Sequence, residues 1–287
     1  MDRNKKETPS VFSELAKDYP LFYLNPDEDE LETYRRVVLR GEEPEKKNLG
    51  HYRGSEEDRL ETADTPAGPV RVATLGNRMD FELVVRGLMA AKEGPGKKVP
   101  ESQGAAMLYV FNWRRIHEYL SAFPENEKDE EFRRFTSDKA NYLDILVVLS
   151  RGPYSHVPAG TVRYTETAWL DYSDTIRRVH ELTHVVCRRL YPDNIDPLRD
   201  ELIADAVGLI AAFGHFDPEL EKLFLGIRGT QYTGGRLGNY TEEPERMVPR
   251  ICTGINRIRE LAGRQSRQDP FDLIPVLMKQ PLWEPEP

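Results

Sequence analysis

Residues 180–184 read His180-Glu181-Leu182-Thr183-His184. This is an H-E-x-x-H pattern within a run whose apolar residues recur at helical spacing. Residues four apart on a helix share one face, so both imidazoles can reach a single ion. Imidazole is a good ligand for zinc, and a catalytic zinc needs only three protein ligands. The Glu next to the first His can then act as general base toward a metal-activated water. The run predicts a helix from about Asp174 to Leu190, with Ser173 or Asp174 as its cap. Ile176, Val179, Leu182, Val186 and Leu190 fall on one arc of it. His180 and His184 lie at the margin of that arc, and Arg177, Glu181 and Arg188 lie beyond. The His pair is therefore expected where a core meets a cleft.

Seventeen residues after His184 comes Glu201, with Asp205 one turn further on, an E-x-x-x-D pair on one helical face. Asp196-Pro197 predicts the start of that helix, with Asp as cap and Pro in the first turn. From Leu202 to Phe213 the helix is apolar almost all round, interrupted by Asp205 and Gly208, so it should be buried. Carboxylates on a buried helix need partners. A metal and its ligand His would supply them; ion pairs with Arg177, Arg188 or Arg199 are the alternative. Gly208 would permit close approach to a neighbouring helix.

Across about 174–214 the two motifs together resemble the gluzincin branch of the zincin metallopeptidases. The resemblance implies that His180, His184 and Glu201 hold Zn2+. It implies Glu181 as the general base and Asp205 as a carboxylate that supports a ligand His from behind. The gap between the motifs is slightly shorter than in the best-known members, so Asp200 and Asp205 stay open as alternative third ligands. In such proteins a strand shortly before the active-site helix forms the sheet edge over the cleft. The partly alternating run Thr161 to Tyr172 is expected to be that strand, and an exposed edge can bind an extended peptide by main-chain hydrogen bonds.

Composition narrows the class. The chain has 287 residues, 39% hydrophobic and 31% charged, which fits a soluble globular protein with a large core. A formal charge of −9 argues against general nucleic-acid binding. No run approaches the ~20 apolar residues of a membrane span. Met1 to Glu7 leads into no apolar signal segment. The 2 Cys, Cys187 and Cys252, do not suggest a disulfide framework, and a cytoplasmic setting is expected. Cys187 stands one turn after His184, where core packing is the favoured reading.

The rest of the chain divides into an N-terminal helical and polar appendage with a linker, residues 1–69, and a body, residues 70–287. Residues 41–68 are dense in charge, Gly and Pro and predict a long loop, with His51 and Tyr52 solvated in it. Val70–Leu75, Ala106–Phe111 and Tyr142–Leu149 predict strands; Asp80–Lys92, Trp113–Phe123 and Glu125–Lys139 predict helices. His117 has no partner at ligand spacing and is expected to be structural. Gly94 to Lys98 lacks phosphate-loop spacing and reads as a turn. The Gly-rich run Gly229–Tyr240 follows the metal helices, and Tyr240 or Arg236 in it could donate to an oxyanion, Tyr240 being the candidate. Glu243 to Arg264 predicts a helix, with Pro249 marking a kink or a later start, and the tail from Pro270 to Pro287 should dock on the body.

The expectation is an α+β, zincin-like protein: a small mixed sheet, an active-site helix and a mostly helical C-terminal part. The leading function is zinc-dependent hydrolysis of peptide bonds in a peptide or protein substrate. A non-catalytic zincin-like binding or regulatory protein that retains its metal is the alternative. A chance motif in a helical interaction protein is a third reading.

Overall fold

The computed structural model describes residues 10–44, 49–93, 98–193, 196–263 and 269–283. Most of the Gly94 to Lys98 turn and the last residues of the tail lie outside them. The chain forms two compact units: residues 1–62 with 71–150, and residues 63–70 with 151–287. It is a mixed α+β protein, with a small mixed sheet and a largely helical part. No helix among the described residues is long and apolar enough to cross a membrane.

The first unit opens with α1 (Val11–Asp18) and a short α2 (Leu31–Thr33) that continues as a π-helix over Tyr34–Leu39. Its elements then run β1 (Arg59–Ala63), β2 (Val70–Leu75), α3 (Arg78–Glu93), β3 (Ala105–Phe111), α4 (Trp113–Leu120), α5 (Lys128–Thr136) and β4 (Leu143–Ser150). The strand order is β1-β2-β4-β3. β2 runs parallel to β4 with Val72 opposite Val147, and β3 runs antiparallel to β4 with Tyr109 opposite Ile145. β4 is central and buried along most of its length, which is why it reads as a continuous apolar run. Phe12, Leu15, Tyr19 and Phe22 pack with Val84, Val85 and Leu88 in this unit's core.

Two features of the expected loop over 41–68 differ. β1 lies within it, and its side chains are mostly exposed, so no apolar pattern marks it as a strand. Tyr52 is not solvated: it stacks on Phe12 with ring centroids 4.1 Å apart. The buried carboxylate of Asp80 holds this stretch by accepting from Arg53 N at 3.0 Å and Gly54 N at 2.8 Å. A loop with its amides tied to a buried acid keeps one conformation.

The second unit is built on α7 (Glu166–Leu190) and α8 (Pro197–Phe213), preceded by a short α6 (Ala159–Val162). There is no strand over 161–172. Thr165 caps α7, its side chain accepting from Ala168 N at 3.3 Å. The buried positions Trp169, Ser173, Ile176 and His180 then follow at spacings of three and four. A few accidental alternations concealed that period. Ser173 is therefore an interior residue of the helix, and its Oγ accepts from Tyr154 N at 2.9 Å.

α8 begins as expected, with Asp196 accepting from Leu198 N and Arg199 N, and ends at Gly214 with φ 74°. Gly208 faces α7 so closely that a Cβ there would stand 2.8 Å from the Ile176 carbonyl oxygen. Gly208→Ala would set about 1 kcal/mol of helix propensity against about 1–3 kcal/mol of overpacking. Gly208→Leu gains no more propensity and brings a far larger side chain, so its urea midpoint should fall well below wild type. A midpoint equal to wild type would show that the two helices part freely.

After α8 come α9 (Pro218–Leu225), a hairpin of β5 (Ile227–Arg228) and β6 (Gln231–Tyr232), a 3-10 turn over Arg236–Asn239, α10 (Pro244–Gly263) and α11 (Ile274–Lys279). Gly226 and Gly235 cross backbone to backbone: a Cβ on Gly235 would lie 2.5 Å from Gly226 Cα. That crossing directs the next residues, Arg236 to Tyr240, toward the site. Pro249 neither delays nor breaks α10. Leu273, Ile274 and Leu277 are fully buried in the core of this unit.

Candidate metal centre

His180 and His184 project from one face of α7, buried to 5% and 6% exposure. Their rings meet edge to face, with Nε2 atoms 3.0 Å apart. Glu201, from the second turn of α8, closes the triangle: its Oε2 is 3.4 Å from His180 Nε2 and its Oε1 is 3.5 Å from His184 Nε2. A tetrahedral zinc with bonds of 2.0–2.1 Å holds its ligand atoms about 3.3 Å apart. Two imidazoles and one carboxylate at these separations suit such an ion. Three such ligands would leave a fourth coordination position for water or substrate.

The neighbouring carboxylates take different places. Asp205 Oδ1 is 2.7 Å from His180 Nδ1, and Asp200 Oδ2 is 2.7 Å from His184 Nδ1. Each imidazole thus has an acid behind it and its Nε2 turned inward, the arrangement that orients a metal-binding His. Of the three carboxylates open as a third ligand, Glu201 faces both Nε2 atoms, whereas Asp200 and Asp205 stand behind the rings. Cys187 is outside the cluster: it is buried, and burial pushes its thiol pKa up.

Three residues were not recognisable as parts of this arrangement from sequence. Tyr154, in the loop before α6, donates its hydroxyl to Asp205 Oδ1 at 2.5 Å and lies 3.0 Å from His180 Nδ1. Its loop is held by Arg177, whose Nη2 donates to Gly152 O at 3.0 Å and Pro153 O at 3.3 Å. Arg236 was an expected oxyanion donor; instead its guanidinium bonds Asp205 and, at 2.9 Å, the Tyr154 oxygen. Glu221 on α9 is fully buried, and no donor reaches either of its oxygens among the described residues. Burial, and then the charge of Asp205, push its pKa well above the usual carboxylate range. No spacing in the chain joins these residues to H-E-x-x-H.

Tyr240 donates to Glu201 Oε2 at 2.8 Å, at the edge of the site. Glu181, next to His180 in the chain, is half-buried, and its carboxylate accepts no hydrogen bond among the described residues. The site favours positive charge. Burial alone would lower the pKa of His180, but Asp205 and Glu201 raise it to about 10. Burial would raise Glu201, yet His180 and then His184 bring it down to about 2.

If Glu201 is a ligand and Asp205 a support, their loss should differ in size. Glu201→Ala should nearly abolish zinc binding, and Asp205→Asn should weaken it by ~10- to 100-fold. Competition with a chromogenic chelator measures both. The reverse order would mean that the third ligand is one turn away.

A family model described as "Family of unknown function (DUF7005)" matches residues 3–250. No curated protein and no solved structure matches the chain.

Proposed function

Because the chain belongs to this family of unknown function, we propose its activity from the site alone: zinc-dependent hydrolysis of peptide bonds by a zincin-like protein. The observation that carries the reading is the convergence of His180, His184 and Glu201 on one point. The H-E-x-x-H and E-x-x-x-D spacing supports it independently.

A zinc ion held by these three residues would supply a Lewis acid that polarises the scissile carbonyl and acidifies water. Glu181 takes a proton from the attacking water and passes it to the leaving amine. Asp205 and Asp200 hold the two imidazoles with Nε2 forward. Tyr240 donates to Glu201 Oε2; its one O–H proton would have to leave that carboxylate to reach the developing oxyanion.

A second reading has one observation in its favour. The His pair is deeply buried, as in a metal site that only braces a fold. On that reading the protein is a zincin-like binding or regulatory protein, and Glu181 has no task. The two readings part in one experiment. The purified protein is loaded with zinc and incubated with a proteome-derived peptide library, with a chelator-treated sample alongside. New peptide termini should form only with zinc. Tightly held zinc without any cleavage would favour the second reading.

A further inference from the structure

The helix that carries Glu201 is held from two opposite sides. At about 100° per residue, Glu201 lies about 160° round α8 from Arg199, and Gly208 lies about 180° from it. Gly208 meets α7 at Ile176. Arg199 turns the other way, to the end of α11. Its Nη2 donates to Leu277 O at 2.7 Å, Met278 O at 2.9 Å and Gln280 O at 3.0 Å. These carbonyls belong to the last turn and cap of α11, where no helical N–H is left to pair them and the helix dipole concentrates negative charge. Neighbouring contacts bind the same segment to the same turn of α8. A Cβ on Gly254 of α10 would stand 3.0 Å from the Trp283 ring and 3.2 Å from Leu202 Cδ1. Arg250 lies over the Trp283 ring, 4.7 Å from its centroid, with Nη2 3.8 Å from Asp196, the cap of α8. Arg257 Nη2 donates to Gln280 Oε1 at 3.2 Å, which ties the segment to α10 as well.

We propose that residues 270–283 form a strap that fixes the roll of α8, with Arg199 as the positioning residue for Glu201 and Asp200. Burial alone does not choose that roll, because every residue over 202–209 is buried and α8 has no polar stripe there to turn outward. Small rolls matter. A turn of about 10° carries an atom about 6 Å from a helix axis by about 1 Å, whereas a metal bond tolerates about 0.2 Å. Asp200 and Glu201 directly follow Arg199 in the chain. A roll released at Arg199 therefore moves both the carboxylate that faces the two Nε2 atoms and the one behind His184.

This inference rests on the metal site proposed above, and its test separates the two. Arg199→Met keeps an aliphatic stem and removes the donors. Zinc affinity is measured by chelator competition, and the visible bands of the cobalt(II)-loaded protein report ligand geometry. Arg199→Met should bind zinc ~10- to 100-fold more weakly than wild type, the usual loss when the support of a ligand is removed, and its cobalt bands should shift. A loss of stability alone would lower their amplitude without shifting them. Arg199→Lys brings an ammonium with several donors to the same carbonyls, and it should restore the wild-type bands and most of the affinity. The wild type gives a second reading, which decides the matter should Arg199→Met not fold. If the strap favours the zinc-binding roll, zinc must in turn tighten the strap, so amide exchange over residues 274–280 should slow when zinc binds. Exchange unchanged by bound zinc, or Arg199→Met with wild-type affinity and bands, would overturn the strap and leave the metal site standing. Absence of zinc from the wild type would overturn both.

Discussion

Glu181→Gln is expected to keep the zinc and the fold and to lose peptide turnover by at least ~10²- to 10⁴-fold, the usual contribution of a general base. Gln is nearly isosteric with Glu and can still hydrogen-bond water, but it cannot take a proton at neutral pH. Glu181 engages neither imidazole and accepts no hydrogen bond among the described residues. The substitution therefore removes no contact that holds the site. Peptide affinity should change little while kcat falls, because the lost interaction acts in the transition state. Metal content by elemental analysis, affinity for the uncleaved peptide and single-turnover rates separate these quantities. Equal cleavage by Glu181→Gln and wild type would exclude the mechanism.

The double variant His180→Ala, His184→Ala should contain no zinc, against about one ion per chain in the wild type. Its effect should exceed that of either carboxylate variant, because it takes two of three ligand atoms from one point. It should also leave Asp205 and Asp200 without the ring N–H groups that now face them. Asp205 keeps Tyr154 and Arg236, so its burial stays compensated. Asp200 is partly exposed and can turn to water. The fold of the double variant should therefore survive, and circular dichroism alongside metal analysis tests that. Full zinc occupancy in a folded double variant would sink the ligand assignment.

Much of the frame was legible because it rests on local rules. The caps at Asp196 and Gly214, the strands Val70–Leu75 and Leu143–Ser150 and the close contact at Gly208 each follow from a few neighbouring residues. The start of α7 was misread for a reason of the same kind. Between Thr161 and Tyr172 the buried positions are too few to impose a period, and Thr165 declares the helix only through its bond to Ala168 N. The ordering of residues 49–58 was hidden because it depends on Asp80, a residue more than twenty positions away.

By itself the sequence determined that two His share a helical face and that three carboxylates follow on the next helix, since helical spacing needs no tertiary information. It could not choose among Asp200, Glu201 and Asp205. They lie within about one turn of each other, and the choice depends on how α8 is rotated against α7 where Gly208 meets Ile176. Nor could it find Tyr154, Glu221 and the true place of Arg236. These come from a loop before the helix pair, a helix after it and a Gly-rich turn beyond that. Only the packed chain brings Tyr154 and Arg236 to one buried carboxylate, because burying Asp205 requires donors, whatever their distance along the chain.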